Sequence, residues 1–439
     1  MKKQNEKSVD KEVKLVKIIG SYVSDHFGEL WDKSLNDLIE EAVLGVVESV
    51  SENNDFDPKE IEAVYIANMA SGIFNNQLHL NAIVSELLEH FPPSIRVEGA
   101  CASGSLAMIA AQDSLNSGRY KTVMVLGVEK MTDFNSNEAT KVLSSASDYS
   151  FEYGSTFPAL YALLAKAHMH KYGTTREHLS AVSVKNHRHA LSNSKAHFKK
   201  SFTLKQVSES SMVADPLRLL DCSPVSDGAS AVILSTKNSG KLLDANKAGG
   251  DNKASSGEID YKNKPKIIGF GHAQDYLSLA KRKSLTSLSA TVKATRNAFK
   301  QANINLQACN SLRSTAGTRA EFTAKDIEVA EVHDCFTIAE ILAIEDLGFF
   351  KKGTGAQATL DGKTTFGGDV VINPSGGLKA CGHPVGATGV KQIAYLAELL
   401  EKGIKIEGDK LEKIKNFKYA LAHNVGGSGA TVVVHILEK

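Results

Sequence analysis

Val97-Glu98-Gly99-Ala100-Cys101-Ala102-Ser103-Gly104-Ser105 sets one thiol in a run of small residues. It leads into a helical pattern, Leu106 to Leu115, and then a buried strand, Thr122 to Val128. The second half of the chain repeats the theme. Asn373-Pro374-Ser375-Gly376-Gly377-Leu378-Lys379-Ala380-Cys381-Gly382-His383-Pro384 feeds a helical pattern running to about Leu400. Two such junctions at matching places point to an internal duplication, although small-residue loops before helices are common enough to coincide.

Apolar β-rich runs alternate with helical patterns elsewhere too. Val13 to Val23, Ala63 to Asn68, Ala229 to Ser235 and Ile327 to Val332 read as strands; Asp32 to Val50 and Thr337 to about Leu347 read as helices. This alternation is the signature of an α/β protein with covered sheets. The expected organisation is an N-terminal half over 13–236 and a C-terminal half over 267–439. Between them, Lys237 to Lys266 is polar with almost nothing to bury, and reads as a surface insertion. Ala308 to Thr323 reads as a shorter one. Met131 to Pro216 turns polar and helical, as a cap inserted into the first half would.

A chain of 439 residues exceeds one ordinary core and suggests two or three domain-sized units. Apolar residues make up 42% and charged ones 23%, and 51 basic side chains nearly cancel 50 acidic ones. No global field draws in nucleic acid, and no apolar run is long enough to span a bilayer. Met1 to Lys14 lacks a secretory signal's apolar stretch, and Leu437-Glu438-Lys439 is not a peroxisomal address. Five scattered cysteines form no disulfide framework and no Cys-x-x-Cys metal spacing. The expectation is a reduced cytoplasmic protein without a metal.

Three loops carry candidate chemistry. Cys101 sits at a predicted helix start, where free amides and the helix dipole favour a thiolate and can hold an oxyanion; a buried structural cysteine would read the same way. His383 lies among Gly382, Gly386 and Gly389, which leave its imidazole accessible as a base for a thiol, or it is a satisfied loop histidine. His333-Asp334-Cys335-Phe336 follows a strand and precedes a helix, the ligand side of α/β sheets. It offers an acid/base and a hydrogen-bond donor together, unless the cluster is coincidental. A fourth turn, Asn424-Val425-Gly426-Gly427-Ser428-Gly429, permits close backbone approach, or is merely a tight connection. Cys222 and Cys309 read as structural or incidental. Cys381 is ambiguous because of its nearness to His383. Lys195 to Lys200 and Lys281 to Lys283 are candidate phosphate contacts or simply solvated surface.

These four loops, in this order and across roughly Val13 to Leu437, resemble the thiolase superfamily. Cys101 to Ser103 is similar to its nucleophile motif and Gly382-His383-Pro384 to its histidine motif. His333-Asp334-Cys335-Phe336 resembles the variant of the sterol-carrier-protein-type and archaeal-type acetyl-CoA C-acetyltransferases, where other thiolases have Asn-Glu-Ala-Phe. Most thiolases also carry a second catalytic cysteine in a C-terminal Cys-x-Gly motif; Asn424-Val425-Gly426 stands there instead. The resemblance implies that Cys335 takes over that acid/base role. It further implies a five-layered α/β/α/β/α fold of two similar halves, with a loop domain over the coenzyme A site. The implied reaction is reversible condensation of two acetyl-CoA, or thiolytic cleavage of a 3-ketoacyl-CoA, through an acyl-cysteine at Cys101. His383 would be its base, and His333 and His383 would both donate to the enolate, with an oxyanion hole at the Cys101 and Gly426 amides. Coenzyme A thioesters would be substrates, with no other cofactor. A homodimer or homotetramer is implied, and in archaeal relatives an assembly with hydroxymethylglutaryl-CoA synthase and a small zinc-ribbon protein. Two other readings are a ketoacyl-synthase-like condensing enzyme, for which a base at Cys335 is superfluous, and a non-catalytic scaffold, which should have lost Cys101 or His383.

Overall fold

Two five-stranded sheets, built to one plan, form the frame of this computed structural model, which describes residues 15–51, 55–241, 258–311, 321–406 and 413–439. The first half contributes β1 (Val16–Val23), β2 (Ala63–Ala67), β3 (Ser94–Val97), β4 (Thr122–Glu129) and β5 (Gly228–Ser235). The second contributes β6 (Lys266–Gln274), β7 (Val329–Glu331), β8 (Val371–Ile372), β9 (Tyr419–Gly426) and β10 (Thr431–Glu438). The strand order is β3-β2-β4-β5-β1, continued by β6-β10-β9-β7-β8. Each half thus places its own first to fifth strands in the order 3-2-4-5-1, mirrored about the seam. In each, the fifth strand is antiparallel to both neighbours and the second is parallel to the third and fourth. The seam is short: Val16 faces Ile267 and Lys17 faces Lys266. The duplication suggested by the two small-residue loops is therefore present in the topology.

The helices repeat as well. α1 (Leu35–Glu48), α2 (Leu80–Leu87) and α3 (Ser103–Asn116) of the first half correspond to α7 (Ser289–Ser311), α8 (Thr337–Asp346) and α10 (Thr388–Lys402) of the second. Leu38, Ile39 and Val43 of α1 pack on Ile66, Leu126 and Ile233, one outer face. The alanine stripe Ala290, Ala294, Ala298 and Ala302 of α7 packs on the opposite outer face, with Val432, Val434 and Ile436. Between the sheets lie α3 and α10: Ala107, Met108 and Ala111 join Val390, Ile393 and Leu396 against Val123, Val232 and Ala422. Five layers result. Strands buried on both faces along their whole length, such as β4, β5 and β9, follow from that sandwiching.

The cap is made chiefly of α4 (Ser136–Ser144), α5 (Phe157–Tyr172) and α6 (Arg176–Ala190), entered between β4 and β5. The second half has only the turn Gly427 to Ala430 at the matching place. Some boundaries differ from the sequence reading. α1 starts at Leu35 because Ser34 caps it reciprocally with Asp37. Val13 lies outside the described residues. The insertion 237–266 is not wholly unburied: Ser239–Lys241 pairs with Glu258–Asp260, and Tyr261 is buried against the first outer layer, while 242–257 lie outside the described residues. α7 runs into the second expected insertion as far as Ser311, and Phe322 is core; 312–320 lie outside the description. Among the described residues, no helix is long and apolar enough to cross a membrane.

Candidate active site

The nucleophile loop leaves β3 and turns sharply into α3. Ala100 holds φ 53°, a left-handed conformation that a residue with a Cβ adopts only when its surroundings impose it. Those surroundings are visible. Ser103 Oγ accepts from the Gly99 N–H (2.9 Å) and donates to the Ala100 carbonyl (2.6 Å), and Glu98 accepts from the Ala100 N–H (2.6 Å). Across the seam, Asn424 Nδ2 donates to the Cys101 carbonyl (3.0 Å). Cys101 therefore sits half-buried in a short 3-10 turn just before α3.

Its thiol does not titrate as a helix start alone predicts. Burial pushes it up to about 12; the Gly427 N–H pulls it down, and Glu129 and Glu98 push further up. Desolvation outweighs the amides, so Cys101 rests as a thiol and needs a base. His383 is that neighbour. Thr388 Oγ1 lies 2.7 Å from its Nδ1 and gives its single proton to the Pro384 carbonyl (2.9 Å). The hydroxyl can only accept from the ring, so Nδ1 carries the proton and Nε2 keeps its lone pair. Burial and the Lys391 ammonium hold this imidazole down at about 3.

His333 has the opposite tautomer. Its Nδ1 accepts from Asn424 Nδ2 (3.2 Å), which leaves the proton on Nε2. That Nε2 is buried and has no partner. Burial, then His383, His423 and Lys391, keep the ring well below its ordinary value and hence neutral. The two rings stand edge to face, centroids 5.1 Å apart. The donor atoms of Cys101, His333 and His383 all lie within 4.8 Å of one another. This is close to the spacing of a metal set, but the proton on His333 Nε2 blocks one of its three positions. As hydrogen-bonded, the group is one thiol, one base and one proton donor.

Cys335 completes the cleft. It lines the same cavity as Cys101 and His383, on a wall with Phe336 and Tyr161. Burial, then nearby Cys101, hold its thiol well above the ordinary value, while Tyr161 and the Phe336 N–H favour its anion. Asp334 ties this loop to α9 (Gly377–Cys381), the turn that delivers His383. It accepts from the Leu378 (2.6 Å) and Lys379 (3.3 Å) amides and from Asn186 (2.7 Å).

Several sequence readings change here. The amides that reach the Cys101 sulfur are those of Gly427 and of Cys101 itself. Gly426 is still strand, opposite Thr431, whereas Gly427 opens the turn at φ 61°. Cys222, read as structural or incidental, lines the cleft. Cys381 is core, its sulfur accepting from Asn193 (3.4 Å), and does not line the cleft. Of Cys309 only the helical backbone is described. Lys195 bonds the Val23 carbonyl, and Lys281 faces Asp148 and the Phe151 ring. Gly386 and Gly389 serve packing more than access: a Cβ at Gly386 would meet Glu129 Oε2 at 2.6 Å, and one at Gly389 would strike the Ser105 amide. Sequence reasoning missed Tyr161, the positioning role of Asn424, and Glu129. Glu129 accepts from Met69, Ala70 and Gly386 N–H groups, joining the nucleophile half to the histidine loop.

A duplicated five-layer α/β frame that brings a thiol, a base and a proton donor to one cleft between its halves defines a class of enzyme working by cysteine and histidine. The N-terminal domain model of thiolases matches residues 16–238, and the model described as thiolase C-terminal domain-like matches 307–439. An acetyl-CoA acetyltransferase of Methanothermobacter thermautotrophicus is 42% identical over 94% of this chain and 97% of its own. Another, of Methanocaldococcus jannaschii, is 42% identical over 96% and 98%. Among solved structures, the Ltp2-ChsH2(DUF35) aldolase superposes with a TM-score of 0.71 at 19% identity, covering 97% of this chain and 98% of its own, a likeness of fold. The chain belongs to the thiolase family.

Proposed function

We propose that this enzyme catalyses the reversible condensation of two acetyl-CoA to acetoacetyl-CoA and coenzyme A, through an acetyl-thioester on Cys101. The observation that carries the reading is the convergence of Cys101, His383, His333 and Cys335 with opposed imidazole tautomers. His383 Nε2 takes the Cys101 proton as the sulfur attacks the thioester carbonyl. The resulting oxyanion lies against the Cys101 and Gly427 amides. Collapse breaks the carbon–sulfur bond and completes the acetyl-cysteine with coenzyme A as a free thiolate; Cys335 then protonates that thiolate and is left as an anion. That anion removes a methyl proton from the second acetyl-CoA, while His333 Nε2–H donates to the enolate oxygen. The enolate carbon attacks the acetyl-cysteine, and the Cys101 thiolate recovers its proton from His383. Protons and charge balance without a further cofactor; coenzyme A thioesters enter as substrates only.

Radiolabelled acetyl-CoA tests the assignment. Cys101→Ala must abolish acid-stable label on the protein. Cys335→Ala must still take label yet fail to condense; normal condensation by it would remove Cys335 from the reaction. Both free thiols suit a reducing compartment such as the cytoplasm. The quaternary reading is a homodimer or homotetramer, supported by the exposed edge strand β3. Assembly with a hydroxymethylglutaryl-CoA synthase and a zinc-ribbon partner is supported only by the resemblance to archaeal relatives and by the DUF35 partner named with the aldolase.

A further inference from the structure

Cys335 must exist as an anion, yet the groups that act most strongly on its sulfur in the resting cleft include no cation; an imidazolium at His383, on the same cavity, forms only during turnover. Of the charged groups acting on it, Cys101 and Asp334 both oppose the thiolate. What favours the anion is the Phe336 N–H and one side chain, the Tyr161 hydroxyl. Tyr161 comes from α5 of the cap, is fully buried, and lies against Phe336 with ring centroids 4.7 Å apart at 31°. Its hydroxyl has one proton and two acceptors within reach. One is the Gly427 carbonyl at 3.1 Å; the other is the Cys335 sulfur.

We infer that Tyr161 is a positioning residue for Cys335, its hydroxyl turning from the Gly427 carbonyl to the sulfur when that sulfur carries negative charge. While Cys335 is a thiol, a carbonyl is the better acceptor and the proton rests on Gly427. Once Cys335 has protonated the departing coenzyme A, the thiolate is the better acceptor, since hydrogen bonds to an ion are stronger than neutral ones. The rotation moves one O–H and breaks no covalent bond. Its effect falls on the step in which Cys335 takes or returns the α-proton, because acylation of Cys101 passes before any anion forms on Cys335. The residue also explains why the cap matters to chemistry beyond covering the cleft: it supplies the only side-chain donor found for the second sulfur among the described residues. The inference rests on the acyl-cysteine reading above.

Tyr161→Phe keeps the ring and its contact with Phe336 and removes only the hydroxyl. Rapid-quench acylation with radiolabelled acetyl-CoA should stay near the wild-type rate. Condensation by the pre-acetylated enzyme should fall about 10- to 100-fold, the worth of one hydrogen bond to a charged group. Loss of a donor to the anion raises the Cys335 pKa, so the acid limb of the condensation profile should move up by about one to two pH units. A structural role alone would not move that limb. If acylation and condensation slow equally with the limb unmoved, the hydroxyl serves only the Gly427 turn and the inference fails while the reading stands. Unchanged rates and limb likewise overturn it. A wild-type enzyme that never takes label on Cys101 would overturn both.

Discussion

Asn424 stands where most thiolases are expected to carry a cysteine, and its amide fixes two things at once, the Cys101 carbonyl and the tautomer of His333. Asn424→Asp reverses the second. A carboxylate accepts from Nδ1–H, so the lone pair moves to Nε2 and the enolate loses its donor. Condensation should drop about 10²- to 10³-fold, the cost of one oxyanion donor, with acylation less affected; single-turnover rates for the two halves separate these, and nitrogen NMR of His333 reads the tautomer directly. The free enzyme's pH response follows from the resting pair. His383, held at about 3, stays neutral at every pH above that value, and Cys101, held at about 12, stays protonated below its own. The acylation rate should therefore lack the inflection near pH ~6.5 of an ordinary imidazole. Lys391→Met removes a cation whose Nζ sits on the Gly382 carbonyl at 2.6 Å. The imidazolium then becomes easier to form and the acid limb should move up, while burial, the larger cause, still holds it below that of an ordinary imidazole. An unshifted profile in that variant would contradict the role given to Lys391.

At the level of elements, the two central helices are where the duplicated halves meet most tightly. A Cβ at Gly104 of α3 would lie 2.8 Å from the Gly389 and Val390 amides of α10, and one at Gly389 would strike Ser105 in return. Both helix starts, and with them Cys101 and His383, take their separation from this contact of bare backbones. Gly389→Ala should cost about 1–3 kcal/mol by overpacking and slow acylation, whereas Gly367→Ala, with open space around it, should stay within about 0.5 kcal/mol; denaturant melts decide. The glycines were visible in the sequence, but their purpose was not: a loop glycine looks the same whether it admits a ligand or a helix. Tyr161 and Glu129 escaped for a related reason. One polar residue inside an apolar helix or strand leaves no periodic trace, and its partners lie between 59 and 266 positions away. The reactive loops were legible because their chemistry is carried by residue type and by position at strand-to-helix junctions.

For the whole molecule, alternation of strands and helices and the repeated loop led to the right class of fold, because a sheet covered on both faces leaves long apolar runs. The equal strand order of the halves depends on pairings between distant segments and could be read only from the structure. That symmetry also exposes a difference. The two open edges of the joined sheet are β3 and β8, which correspond under the duplication. Val371 and Ile372 of β8 are fully buried, while Ile95 of β3 is 55% exposed, with Ile73, Leu78 and Phe91 also exposed nearby in the chain. An unpaired strand edge beside exposed apolar side chains is an invitation to pair. A two-fold partner presenting the same edge would bury both, continuing the sheet through β3 of each copy. Sedimentation equilibrium should then find at least a dimer at micromolar concentration, and Ile95→Lys, which sets like charges against each other across the axis, should shift it toward monomer without changing the melting of the core. A wild-type chain that sediments as a monomer would leave β3 an edge managed in some other way.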